Sequence, residues 1–362
     1  MQQNNTQAQD ESLNSQIFKC PGCGNFLYYD PESKKMKCDY CNTTVDTQEV
    51  GMAQELPYNE GVEQGFVKWG GGKSVKCKSC GAISVLPDYE VVSSCPFCNA
   101  SNIVDTDEID GLQPNGILPF KITKAQVPIV YENWLKSKKL APNKLKKEAK
   151  RQPARGVYIP LFTFDATADC DYTIRYGQHY TVTVGSGKNR RTETRTRWYT
   201  ASGHVNDFFN DLQVEASKSI TQKNLRKLGG FDTDNSFEYH QQFISGYSAE
   251  RYDKSLDESW EDAKSLIKAS LRQQIVSRYR ADVVDYVNMN CMYSDRTYKY
   301  VLVPIWIFNY HYAKKNFECI VNGRSGRVVG KYPKSSIKIG AIALSVLAVA
   351  GVLVWLFVKY LV

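Results

Sequence analysis

Cys20-Pro-Gly-Cys23 and Cys38-Asp-Tyr-Cys41 are separated by fourteen residues, and Cys77-Lys-Ser-Cys80 and Cys95-Pro-Phe-Cys98 repeat that spacing 57 residues later. Two short Cys-x-x-Cys turns brought together by a hairpin offer four soft ligands, the shell that zinc takes in a structural site. Four thiolates close that shell and leave no position for water, so the expected cofactor is two structural zinc ions. Each turn must aim backbone N–H groups at its sulfurs, which favours a residue tolerant of the left-handed conformation just after the second cysteine. Gly24, Asn42, Gly81 and Asn99 hold those places. Pro21 and Pro96 stiffen two of the turns, and Lys19, Lys37, Lys76 and Lys78 set positive charge beside the thiolates. Each ribbon has 22 residues from first to last cysteine. That is too few to bury a core, so the metal must hold the fold.

A disulfide framework would need an oxidising compartment, and the sequence opens on a polar segment instead of a signal peptide. A thioredoxin-like redox pair would sit beside a βαβ pattern, which is absent. Pairing within each ribbon is the expected arrangement, with interleaved pairing as the alternative. Cys170, Cys291 and Cys319 stand outside the repeat and are expected to pack as small apolar side chains.

The other strong signal lies at the far end. Ile339–Val358 carries no charge and one polar residue, Ser345. Twenty helical residues span ~30 Å, the thickness of a bilayer's hydrocarbon core. Arg324, Arg327, Lys331, Lys334 and Lys338 precede this stretch and Lys359 follows it. Positive charge stays cytoplasmic, so the expected topology is a single-pass, tail-anchored protein with its bulk in the cytosol.

These features need a scaffold between them. Residues 1–16 are Gln-, Asn- and Ser-rich and expected to be disordered. Zinc ribbons occupy 17–45 and 73–104, with linkers at 46–72 and 105–117. An α+β domain covers 118–333, followed by a basic juxtamembrane stretch at 334–338, the transmembrane helix at 339–358 and a short tail at 359–362. The fold class is therefore two small β zinc ribbons, a mainly antiparallel α+β domain and one C-terminal transmembrane helix. Within the domain, Tyr158–Asp165 echoes Leu302–Asn309, each with a proline where a strand is expected to begin. Both lead into further strand-like stretches, Asp169–Tyr176 and Asn316–Val321. Gln178–Val184 and Arg190–Thr200 flank a Gly-Ser-Gly-Lys-Asn turn and read as a hairpin. Glu318–Val329 reads as another, turning at Asn322-Gly323. Leu256, Trp260, Ala263, Ile267, Leu271 and Ile275 mark one face of a helix over 255–280, and a shorter helix is expected over 127–136.

The formal net charge of +8 is uneven, with nine Lys or Arg and one acid, Glu148, between Lys136 and Arg155. Lys138, Lys139, Lys144, Lys146, Lys147 and Lys150 are candidate contacts for an anionic surface, as are Arg191, Arg195 and Arg197 on a strand whose charged face should be exposed. For a tethered protein the lipid surface is the nearer target; a solvated surface without a partner is the plain alternative. Zinc ribbons bind nucleic acid or protein, and their spacing alone does not choose.

No catalytic arrangement stands out. Gly70-Gly-Gly-Lys73-Ser74 lacks the first glycine of a Walker A loop, since that position is Val67. His179, His204, His240 and His311 are isolated, and Asp169 and Asp171 merely flank Cys170. The expectation is a protein that is not an enzyme.

The ribbons, Tyr158-Ile-Pro-Leu-Phe-Thr-Phe-Asp, Val321-Asn-Gly-Arg-Ser-Gly-Arg-Val328, Lys331-Tyr-Pro-Lys-Ser335 and the single C-terminal span resemble a group of bacterial membrane-anchored tandem zinc-ribbon proteins. These are often labelled primosomal helicase-like or transcription-factor-B-type zinc ribbons. The full Cys-Pro-x-Cys-Gly form occurs only at Cys20–Gly24. A helicase is excluded by the missing Walker motifs and by too little chain for two motor lobes. The resemblance implies an adaptor acting with phage-shock-type membrane-stress proteins and a flotillin-like (SPFH) partner. A membrane-tethered nucleic-acid-binding protein is the alternative.

Overall fold

A computed structural model describes residues 18–63, 73–86, 95–97, 100–101, 103–105, 112–148, 154–217, 219–312 and 315–361. The 1–16 segment, Val67, Gly70–Gly72, Cys98, Asn99 and Lys150 lie outside the described residues. The chain begins with β1 (Leu27–Asp30), β2 (Lys35–Cys38) and β3 (Thr44–Val45), a small antiparallel sheet, followed by β4 (Leu56–Pro57) and α1 (Tyr58–Glu63). The second ribbon supplies β5 (Lys73–Cys77), β6 (Ile83–Leu86) and β7 (Ile103–Asp105). Next come β8 (Gly116–Ile117), α2 (Val127–Ser137), α3 (Asn143–Glu148), β9 (Ala154–Val184), β10 (Arg191–Glu215) and α4 (Gln222–Lys227). The chain finishes with β11 (Phe237–Glu238), β12 (Ser248–Glu250), α5 (Leu256–Arg278), β13 (Val283–Tyr312), β14 (Lys315–Asn322), β15 (Val328–Gly330) and α6 (Ser336–Leu361).

The centre is a mixed sheet in which β9 pairs with β10 on one side and β13 on the other, both antiparallel and nearly end to end. The expected 178–200 hairpin is only the tip of this. The stretches read as separate strands at 158–165 and 169–176 are one 31-residue strand. Pro160 and Pro304 sit inside long strands and not at their starts. Pro160 O accepts from Ala216 N–H and Pro304 O accepts from Gly323 N–H, so each missing N–H points to the same side. On that side β9 changes partner from β12 to β10, and β13 from β8 to β14. Neither ladder loses a bond it needed.

Alternation along β9 and β13 gives the sheet two different faces. Tyr158, Phe162, Phe164, Tyr298, Tyr300, Trp306 and Phe308 line an aromatic face, while Val157, Ile159, Leu161, Val301, Val303, Ile305 and Ile307 line an aliphatic one. The first ribbon joins the aromatic core through Leu27, Tyr29 and Met36. The second joins the aliphatic core through Ala82 and Phe97, and its β6 extends the main sheet by pairing with β12. The two ribbons therefore clamp opposite faces of one sheet. Beyond this core, α5 covers the aromatic-side face of the projecting β10–β9–β13 blade with Ala263, Ile267, Leu271 and Ile275. A capping box starts α5, the Ser255 hydroxyl accepting from Glu258 N–H while Glu258 accepts from Ser255 N–H.

The lone-cysteine expectation needs correction. Cys170 and Cys291 are register partners on the helix-covered face, Cα atoms 4.1 Å apart, and are joined by a disulfide. Their 121-residue separation hides this from any reading of spacing. Cys319 is buried without a disulfide, as expected of a small apolar side chain.

Glu250, at the end of β12, is 2% exposed and receives the Ser217 hydroxyl at 2.9 Å and the Ser219 hydroxyl. Loss of solvation raises its pKa from 4.5 to about 8. An unfolded chain ionises this carboxyl near 4.5, whereas the folded protein keeps its proton to about 8. Stability should therefore fall as pH rises through that window, by up to ~1.4 kcal/mol per unit. Glu250→Gln should flatten the urea-midpoint profile between pH 5 and 8; an unchanged slope would contradict this assignment.

Candidate metal centre

Local backbone geometry builds each cysteine turn. Gly24 N–H donates to Cys20 O, Asn42 to Cys38 O and Gly81 to Cys77 O, with distances of 2.8, 2.9 and 2.9 Å. All three residues have left-handed φ, at 74°, 60° and 82°, where a glycine or asparagine is strained least. A second bond closes each turn, from Cys20 to Asn25 O, Cys38 to Thr43 O and Cys77 to Ala82 O. Cys95 repeats it with Ala100 O. The closing bond recurs in four turns, and the left-handed residue with its bond in the three where that residue is described.

The turns bring Cys20, Cys23, Cys38 and Cys41 together in one cluster and Cys77, Cys80 and Cys95 in another, with all sulfurs of a cluster within 4.8 Å of one another. Cys20 and Cys41 sulfurs are 3.4 Å apart, Cys23 and Cys38 3.6 Å, Cys80 and Cys95 3.7 Å. Four sulfurs ~2.3 Å from one tetrahedral ion stand ~3.8 Å from each other. The clusters thus fit two structural zinc sites. Among the described residues, ligands group within a ribbon and do not interleave. One cysteine of each described turn is buried and the other exposed at the surface.

Charge also calls for a cation. The Thr43 hydroxyl and then its N–H lower the Cys41 thiol to about 6. Cys23 gains help from Asn25 N–H, yet partial loss of solvation and its three sulfur neighbours push it up to about 12. Sulfurs this close cannot all ionise beside one another without a metal to neutralise them. Bound zinc would supply a closed, redox-inert shell that fixes the hairpin.

Between the clamped ribbons lies a cleft of about 610 Å³. Tyr28, Asp30, Glu32 and Asp39 of the first ribbon, Pro96 of the second, and Lys124, Arg155, Tyr247 and Trp306 of the domain line it. Arg155 also donates to Cys95 O at 3.2 Å, tying the domain to the second ribbon. No sequence signal marked this cleft, because its walls come from six distant segments.

The predicted anionic-surface residues separate into two places. Lys138, Lys139, Lys144 and Lys146 gather beside the start of α6. Lys147 lies in α3, its side chain outside the description. Arg191 and Arg195 instead flank Glu193 at the blade tip, and Arg197 lies over Tyr180 at 5.2 Å. Thr192 and Thr194 on the opposite face are exposed too, since α5 stops short of the tip. The expected contrast of one charged exposed face is absent there.

Two clusters escaped the sequence. His204 meets Asp171 at 3.0 Å through Nδ1 and Asp169 at 3.5 Å through Nε2 on the open face of the blade. The Asp171 hydrogen bond raises its pKa. Glu55, Asp165 and Asp211 also converge, but Lys299 Nζ already sits among them, 2.6 Å from Glu55 and 3.0 Å from Asp211. This buried ion group fastens the inter-ribbon segment to the sheet.

The class is thus a protein with two cysteine-clustered ribbons, of four and three cysteines among the described residues, built on a mixed sheet with a C-terminal apolar helix long enough to cross a membrane. No protein-family model matches the chain, and no solved structure does. It is similar to Uncharacterized protein YdjG of Bacillus subtilis (strain 168), with 25% identity over 326 residues, 90% of this chain and 92% of that protein.

Proposed function

We propose that the protein is a non-enzymatic, tail-anchored adaptor whose two zinc ribbons hold open a docking cleft for protein partners at the cytosolic membrane face, in a membrane-stress system. The observation that carries this reading is the cleft itself. It touches both ribbons and mixes Asp30, Glu32 and Asp39 with Tyr28, Tyr247 and Trp306. Three carboxylates outnumber Lys124 and Arg155 in its walls and oppose a phosphate backbone, and acid with aromatic groups suits a peptide carrying Lys or Arg. Resemblance to membrane-anchored tandem-ribbon proteins supports the stress-system setting and phage-shock-type or SPFH partners. The candidate span supports membrane association: none of residues 336–360 is buried in the protein. The basic residues before it support a cytosolic domain, a compartment in which Cys170 and Cys291 would be held as two thiols and not as the disulfide described above.

Titration of the detergent-solubilised full chain with DNA and RNA across salt tests this reading against a tethered nucleic-acid binder. No sub-micromolar, steeply salt-dependent isotherm is expected. A photo-crosslinker at Glu32 in cells should give a discrete protein adduct that the same probe at Ser294, on the distant blade, does not. A tight salt-dependent isotherm, or identical adducts from both positions, would overturn the adaptor reading.

A further inference from the structure

The chain entering α6 is bonded to the basic segment that joins α2 and α3. Ser335 N–H donates to Leu140 O at 2.9 Å. Lys338 Nζ donates to Ala141 O at 2.7 Å, Asn143 Oδ1 at 2.8 Å and Lys139 O at 3.3 Å. These bonds bring exposed Lys139 and Lys144 to the foot of the apolar helix, beside exposed Lys334. Lys146 points its ammonium at Lys136 O, 3.0 Å away, and loss of solvation with the nearby Lys338 charge lowers its pKa. One carboxylate meets the cluster among the described contacts, Glu132, paired with Lys136 at 2.8 Å. Positive charge is in excess there.

Aromatic rings occupy the same place. Trp134 of α2 and Tyr332 meet edge to face at 6.0 Å, and Lys138 Nζ lies 5.0 Å over the Trp134 ring. A ring of ammonium groups with Trp and Tyr at the end of an apolar helix is the composition of a bilayer interface.

We propose that Lys138, Lys139, Lys144 and Lys334, with Trp134 and Tyr332, form a binding site for the phosphate headgroups of anionic lipids in the bilayer that α6 would enter. The proposal rests on the membrane reading of α6 and on no protein partner. Lysine ammonium groups meet phosphate oxygens as point charges. The rings lie at headgroup depth, a role that free phosphate would give them no reason to fill. Lys338 and Lys146 hold the site's shape through their carbonyl bonds and are left out of the test.

The full chain in neutral detergent, followed by native mass spectrometry, is titrated with phosphatidylglycerol and with phosphatidylcholine of equal acyl length. Each lysine near an anionic surface strengthens attachment about fivefold. Phosphatidylglycerol should bind at least ~10-fold tighter than phosphatidylcholine by that scale. A variant combining Lys138→Gln, Lys139→Gln, Lys144→Gln and Lys334→Gln should lose this preference while keeping its zinc. Equal binding of the two lipids, or a preference retained by the variant, would overturn the site. Displacement of phosphatidylglycerol by millimolar inorganic phosphate would also overturn it, in favour of a free-anion site. If the variant loses zinc, the wild-type lipid comparison and the phosphate competition still decide. A full chain that stays soluble without detergent would instead refute the membrane reading of α6.

Discussion

Cys38→Ser should lower the zinc content of the full chain from two ions to one and unfold the first ribbon while the sheet domain stays folded. Cys38 is fully buried, its sulfur 3.6 Å from Cys23, and its carbonyl accepts the Asn42 N–H. A serine oxygen is a poor replacement for a thiolate at a four-sulfur site. The loss is large because structural zinc supplies about 10–16 kcal/mol in ribbon-sized peptides, and the first ribbon has few apolar residues of its own. Leu27, Tyr29 and Met36 would leave the aromatic face, along with the Ser245 hydroxyl bond to Leu27 O. Limited proteolysis should then cut within 18–45, and EDTA should produce the same fragment from wild type. Cys319→Ser serves as the control, with no change in zinc content. Unchanged zinc in Cys38→Ser would show that this cluster does not hold a metal.

The second large effect concerns α6. Leu347→Arg combined with Val352→Arg places two charges near the middle of the apolar stretch. Each costs about 2.5–3.5 kcal/mol at the centre of a membrane helix, so together they offset most of the insertion free energy. The variant should move from the carbonate-resistant membrane fraction to the soluble fraction or be degraded. Lys359 tolerates its place because its ammonium lies 4.9 Å over Trp355 at the helix end, where a lysine reaches the interface. A doubly substituted protein that remains fully carbonate-resistant would contradict the span.

Both effects attach to features that local sequence displays. A Cys-x-x-Cys turn is complete within six residues, and Gly24, Asn42 and Gly81 report the backbone conformation it needs. The α5 stripe was equally plain because helical periodicity repeats within one segment. Pairing across strands was not. Cys170 meets Cys291, and His204 meets Asp169 and Asp171, only through register. The single strand from Ala154 to Val184 looked like pieces because its burial changes along its length. Near Phe162 both faces are covered and the sequence runs continuously apolar. Past Asp165 only one face is covered, so Asp169, Asp171 and Arg175 interrupt it. The clamp of two ribbons on opposite faces was hidden for a related reason: Tyr29 and Phe97 say that they are buried, not against which face.

Zinc counting on the intact protein tests the central claim most directly. Native mass spectrometry of the full chain, purified without added metal or chelator, should show two zinc ions per molecule and free of disulfides among Cys20, Cys23, Cys38, Cys41, Cys77, Cys80 and Cys95. Fewer than two ions per molecule, or any of these sulfurs oxidised to another, would contradict it.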